Sequence, residues 1–297
     1  MKYHLIRFRR DGLGSHFYVN IGNFLFAKLS KLKLVCYRNQ MYIKNIYFRG
    51  ILKETELIKK NQIKENRLID SYQGMRGPLA TVVELTKTDV ITVFNKTYKQ
   101  QFFEFLKYEI QKRKYQLPWK NSKNVIGIHV RLEDKVKKTL DGKDGDRTHW
   151  EDYDGRDSFN YIKNLIDHSN FKKFKKENNS LDTQVPIAPE KLENLIIKFK
   201  QEYPEKEIYI ITYSHELPRW LRKMKKKYQF KIFHNNHDEY DLWLLINTDI
   251  LVLSKSTFSI VAAFYHQGSK IYYPYWGRIA TLGIGSQYDQ TNWTGFV

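Results

Sequence analysis

Cysteine is almost missing from this chain: Cys36 is the only one in 297 residues. A single thiol excludes an intrachain disulfide framework and any cysteine-based metal site. Long apolar runs are missing too. No window approaches the ~18 apolar residues that a membrane-spanning helix needs. The N-terminal stretch "MKYHLIRFRRDGLG" is too short and too broken in its apolar part for a signal peptide. The expectation is a soluble, cytoplasmic protein without a membrane span. On that reading the sequons at Asn95, Asn178 and Asn292 are chance. Acidic charge is scarce: 32 Asp and Glu stand against 51 Lys and Arg, a net charge of +19. Such a balance attracts polyanions. The lysines are nevertheless spread along the chain, and the densest cluster, "RKMKKKYQ" (residues 222–229), reads as the solvated face of a helix. Zinc-finger spacing, a basic zipper and an RRM signature are all absent. Nucleic-acid binding therefore has charge alone behind it, and a phosphate-bearing small molecule explains part of that charge equally well.

What is present is material for a core. Hydrophobic residues make up 41% and aromatics 15%, which excludes global disorder. The length suits one large domain or two ordinary ones. "YHLIRFR" (residues 3–9) alternates as a strand, "DGLGS" follows, and residues 17–32 form an apolar helical pattern before the strand "LKLVCY". "TDVITVF" (residues 88–94) reads as a strand, and residues 98–115 as an amphipathic helix. The polar, Pro-containing "QLPWKNSKN" is the candidate boundary, giving domains 1–118 and 119–297. From Pro189 to Pro274 helices and strands alternate regularly: "EIYIITY", "FKIFH", "DILVLS" and "KIYYP" are the strands. That rhythm predicts an α/β fold with a parallel sheet covered on both faces. Ligands of such sheets bind at the carboxyl ends of the strands.

Three stretches place chemistry at those ends. "VIGIHVRLEDK" (residues 125–135) is a buried strand that exits into His129, Arg131, Glu133, Asp134 and Lys135. A guanidinium there calls for an anionic partner, and its planar fork holds two phosphate oxygens at once. An Arg131–Asp134 ion pair is the competing, purely structural account. "DILVLSKSTFSIVAAF" (residues 249–264) runs a strand into Ser254, Ser256, Thr257 and Ser259 and then a helix. Hydroxyls and free N–H groups at a helix N-terminus suit an anion, although ordinary capping by Ser256 or Thr257 accounts for this stretch when it is taken alone. "RRDGLGSH" sets Gly12 and Gly14 between a strand and a helix, but it is neither a full G-x-G-x-x-G nor a P-loop.

Taken together these residues resemble the fucosyltransferase superfamily, the α1,2-, α1,6- and protein O-fucosyltransferases. "IGIHVRLEDK" is similar to its HxR peptide, "DGLGSHFYVNIGNFLFAKL" to its opening Gly-Leu-Gly loop and helix, and "YDLWLLINTDILVLSKSTFSIVAAF" to its last motif. The resemblance covers about a quarter of the chain, in the family's order. It implies a GT-B-like fold, two Rossmann-like domains facing across a cleft, with the donor nucleotide held by the C-terminal one. It implies a glycosyltransferase that uses GDP-fucose, without a metal or other cofactor. Arg131 would hold the β-phosphate, His129 would lie near the nucleotide, and Asp241 would read the base. Ser256, Thr257, Phe258 and Ser259 would line the phosphate pocket, and Gly12 and Gly14 the opposite wall. Where the α1,6 group carries a Glu after its Asp-Lys, this chain reads "VKKTL". The donor sugar, acceptor and linkage therefore stay open, with a UDP-sugar such as UDP-xylose, or a non-catalytic glycan- or nucleotide-binding module, as alternatives. An inverting transfer needs a base for the acceptor hydroxyl. Asp134 and Asp11 are the candidates ranked above Glu133, Asp141, Asp144 and Asp146. The run "DGKDGD" lacks EF-hand spacing and reads as a solvated loop.

Overall fold

The computed structural model describes residues 2–6, 13–37, 55–59, 62–64, 68–70, 77–132, 187–214 and 217–296. The chain divides into two compact units: Met1–Lys114 with Arg278–Thr291, and Tyr115–Gly277 with Asn292–Val297.

The first unit carries a four-stranded parallel sheet. Its strands are β1 (Tyr3–Leu5), β2 (Lys33–Tyr37), β3 (Glu56–Ile58) and β4 (Leu68–Asp70), in the order β3-β2-β1-β4. Leu5, Val35 and Ile58 form one core face of it. Helix α1 (Leu13–Leu29) joins β1 to β2 and buries Phe17, Ile21, Phe24 and Leu25. Helices α2 (Gly77–Thr86), α3 (Val90–Thr97) and α4 (Lys99–Lys112) follow. Gly22 of α1 touches α2 so closely that a Cβ there would sit 2.7 Å from Leu79 Cγ. Phe24, Phe94 and Phe102 tie α1, α3 and α4 together edge to face.

The stretch "TDVITVF", expected as a strand from its β-branched residues, is instead the start of helix α3. The cause is Asp89. Its Oδ1 accepts the Thr92 backbone N–H at 2.8 Å, an N-cap that supplies one of the donors left over in a first helical turn. Its Oδ2 accepts the backbone N–H of Gln290 at 2.9 Å, and its own N–H donates to the Tyr288 carbonyl. One buried carboxylate thus both starts α3 and holds the returning segment 278–291.

The second unit is a six-stranded sheet, parallel throughout, in the order β10-β9-β8-β5-β6-β7. Its strands are β5 (Val125–His129), β6 (Glu207–Thr212), β7 (Lys231–His234), β8 (Ile250–Val252), β9 (Lys270–Pro274) and β10 (Thr294–Phe296). The crossovers contain α5 (Pro189–Glu202), α6 (Arg219–Tyr228), α7 (Asp238–Ile246) and α8 (Thr257–Tyr265); α9 (Gly277–Ala280), which follows β9, falls in the first unit from Arg278 on. β5 is central and buried at every residue. Ile126, Ile128 and Val130 pack with Leu192, Leu195, Ile196 and Phe199 of α5. The alternation of a strand sends Gly127 and His129 to the other face. Gly127 is needed there: a Cβ would lie 2.5 Å from Thr248 Cγ2. The basic stretch "RKMKKKYQ" lies as expected. Leu221 and Met224 of α6 are buried, while Arg222, Lys223, Lys225, Lys226 and Lys227 are exposed. Among the described residues no helix is long and apolar enough to cross a membrane.

Substituting Asp89→Ala should destabilise the first unit by about 2 kcal/mol, from the lost cap and the stranded Gln290 N–H. Denaturant unfolding checks this, and a variant as stable as the parent would remove Asp89 from its organising role.

Candidate functional site

Strand order locates the site before any side chain does. The chain leaves β5 for β6 and β7 on one side, then crosses back to lay β8, β9 and β10 on the other. The two halves part between β5 and β8. At such a switch point the outgoing connections diverge and leave a crevice at the carboxyl edge of the sheet.

His129 and Ser254 stand on its two sides. His129 ends β5 and is only 7% exposed. Its Nδ1 shares a 2.7 Å hydrogen bond with Ser254 Oγ, and its ring rests on Phe258 with centroids 5.3 Å apart. Burial, with the neighbouring Arg131 guanidinium adding to it, pushes the imidazole down to about 3. His129 is thus a neutral bracket at physiological pH. Arg131, two residues on, is half-buried at the same edge.

The turn beyond β8 is braced from within. Ser259 Oγ donates to the carbonyls of Ser254 and Ser256, at 3.0 and 2.8 Å. Ser256 caps α8 by accepting the Phe258 N–H at 3.3 Å. Thr257 is buried as the first residue of α8, and the first turn of that helix holds no acid. Ser256 and Ser259 therefore shape the turn, and the amide ends of α8 face the crevice edge with a dipole that favours negative charge.

Asp241 belongs to the same edge of the sheet. It lies in the first turn of α7, the crossover helix that follows β7. Asn236 Nδ2 donates to its Oδ1 at 2.8 Å, and the residue is 4% exposed. Burial, reinforced by Asp238 and opposed by the Asn236 bond, pushes its carboxyl up to about 7.

Of the other expected site residues, Gly14 lies near the start of α1 in the first unit. Asp11, Gly12, Glu133, Asp134, Asp141, Asp144 and Asp146 lie outside the described residues. Among the described residues no cluster of His, Cys, Asp and Glu has the makings of a metal site. Two residues at this edge escaped the sequence reading. Thr212, at the end of β6, is fully buried and its hydroxyl has no hydrogen-bond partner among the described residues. Lys255 sits between Ser254 and Ser256 and is 9% exposed. A lysine flanked by serines in a lysine-rich chain carries no signal of burial.

The raised Asp241 carboxyl has a measurable consequence. Between about pH 4 and about pH 7 the folded state keeps a proton that the unfolded chain has lost. Stability therefore falls as pH rises through that window, by up to ~1.4 kcal/mol per pH unit. Asp241→Asn removes this titration. The difference in unfolding free energy between variant and parent should move in favour of the variant from pH 4 to 7 and then level off. A difference independent of pH would mean the carboxyl is not buried as described.

No protein-family model and no curated protein matches the sequence. Several solved structures align with it at low identity. POFUT1 in complex with GDP aligns over 99% of this chain and 98% of its own, with a TM-score of 0.44 and 11% identity. Fucosyltransferase NodZ from Bradyrhizobium aligns over 89% of this chain and 93% of its own, with a TM-score of 0.39 and 10% identity. A mutant of Arabidopsis thaliana FUT1 in complex with GDP aligns over 89% of this chain and 69% of its own, with a TM-score of 0.38 and 13% identity.

Proposed function

We propose that this chain is a glycosyltransferase that moves a sugar from a nucleoside-diphosphate donor, GDP-fucose first, to a hydroxyl of a glycan or glycoconjugate. The observation that carries the reading is the switch-point crevice of the second unit. A guanidinium at the end of β5 and a hydroxyl-lined helix N-terminus after β8 are joined there by the His129–Ser254 bond. Such an edge suits a diphosphate, and the HxR and Ser-Thr-Phe-Ser peptides that build it are those that resemble the fucosyltransferases. Asp241, in the first turn of α7, is the proposed acceptor for a nucleobase N–H. A UDP-sugar donor is the alternative for the same edge, because the phosphate grip does not depend on the sugar or the base.

In mechanism, transfer breaks the bond between the sugar and the β-phosphate and leaves charge on the departing diphosphate. Arg131 and the amides of α8 neutralise that charge, so the reading assigns the task to protein groups rather than to a metal ion. His129, held neutral and fixed by Ser254, keeps the end of β5 in register without adding charge. The acceptor proton passes to a carboxylate, for which Asp134 and Asp11 are the proposed candidates.

Arg131→Ala should slow transfer at least ~100-fold with the far-UV spectrum unchanged. Turnover retained by this variant would refute the phosphate grip. A thermal-shift series with GDP, GDP-fucose, UDP and UDP-xylose in EDTA tests the donor. A ligand at 100 times its Kd stabilises by about 2.7 kcal/mol. Stabilisation by GDP compounds alone supports the reading, by UDP compounds alone replaces the donor, and by none of them rejects the catalytic assignment.

A further inference from the structure

Lysine is common throughout this chain, so a basic helix has to be judged against its neighbours. Helix α4 sets Lys99, Lys107 and Lys112 against Glu104 and Glu109. Helix α5 sets Lys191, Lys198 and Lys200 against Glu190, Glu193 and Glu202. Helix α6 sets Arg219, Arg222, Lys223, Lys225, Lys226 and Lys227 against no acid at all. Its 10 residues supply +6 of the net +19, close to a third of the excess. All six cations are exposed. Among the described residues only Lys227 has an acid partner, Glu193 Oε1 at 3.0 Å. The buried Leu221 and Met224 fix which side of α6 faces the core. With 3.6 residues per turn, the cations spread over an arc of about 200° centred opposite those two.

The helix itself gains little from this arrangement. Cations in the last turn suit the helix dipole, but Arg219 opens the helix, where the dipole disfavours it. Arg219 stands three or four residues from Arg222 and Lys223, Arg222 from Lys225 and Lys226, and Lys223 from Lys226 and Lys227. Like charges at those spacings destabilise a helix. A field of negative charge outside the protein turns the same arrangement into attraction. The face also indicates the form of that field. It is convex, ~15 Å long and mostly lysine, a hydrated point charge without the planar fork that grips single phosphates. Helix α6 holds no Asn, Gln, Ser or Thr to reach the edges of bases. Half-buried Trp220 and Tyr228 flank the arc, aromatics of the kind that settle at the level of lipid headgroups. Several cations on one face of an amphipathic helix suit an anionic lipid surface.

We infer that the exposed face of α6 docks this chain on a bilayer surface of anionic lipid, by charge and without insertion. The docking goes beyond the proposed reaction and does not depend on it. It weakens as salt screens the surface.

Flotation of the whole chain with lipid vesicles tests this. One set of vesicles is phosphatidylcholine alone, and the other is phosphatidylcholine mixed with phosphatidylserine. The parent should float with the mixed vesicles at low ionic strength, leave them as salt is raised, and ignore the neutral ones. The triple variant Lys223→Gln, Lys225→Gln, Lys226→Gln should bind at least ~100-fold more weakly, the loss expected for three cations at such a surface. It should melt no lower than the parent, because it relieves like-charge contacts. A second triple variant, Lys107→Gln, Lys120→Gln, Lys200→Gln, has the same net charge and removes exposed lysines outside α6. It should bind within a few-fold of the parent. Equal losses in the two variants would make the effect one of net charge and overturn the assignment. A parent that leaves the mixed vesicles alone would overturn it too. Binding of a labelled single-stranded oligonucleotide that the α6 variant loses, without vesicle binding, would replace the lipid surface with nucleic acid.

Discussion

The second unit depends on one hydrogen bond. His129 ends β5 and Ser254 follows β8, strands that are neighbours in the sheet, yet 125 residues separate the two side chains in the chain. The β5–β8 ladder ends at the Ile128–Val252 pair, so ladder bonds no longer hold the ends together. A buried 2.7 Å contact between an imidazole and a hydroxyl does so instead. It works only while the ring is uncharged, because a charged imidazole there would carry an uncompensated desolvation cost beside a guanidinium. Burial and Arg131 ensure that the ring stays neutral. Arg131, the proposed phosphate contact, thus adds to the burial that sets the protonation state of its neighbour. Phe258 closes the arrangement by covering the ring from the first turn of α8.

The buried carboxylate of Asp89 plays the corresponding part in the first unit, though there the partners are backbone amides. Two N–H groups from different segments converge on its two oxygens. Both units thus rely on a fully enclosed polar side chain to bring distant backbone into register. Apolar packing fills the volume around each but does not specify the alignment.

Much of the second unit was legible because its signals are local. From α5 to β9 each apolar run has strand or helix length, and turn residues separate the runs, so the parallel sheet follows from the alternation. The candidate residues His129, Arg131 and Asp241 stood out for a related reason: polar groups at the ends of apolar runs are conspicuous. The misreading of "TDVITVF" has the opposite cause. Its β-branched residues satisfy a strand pattern, and what overrides them is a cap whose second oxygen binds an amide 201 residues away. β10 is only Thr294–Phe296, and nothing in three residues announces a pairing with β9. The burial of Lys255 was equally invisible, since in a chain with 51 basic residues one more lysine looks like surface.

The division of the chain has a consequence for how it is made. Proteins of two units commonly complete the N-terminal one first as the chain emerges from the ribosome. Here the first unit includes residues 278–291, and Asp89 finds its Gln290 partner only in that segment. Every strand of the second sheet except β10 must therefore be synthesised before the first unit can close. During translation the order is inverted: the first unit stays incomplete until residues 278–291 have been made.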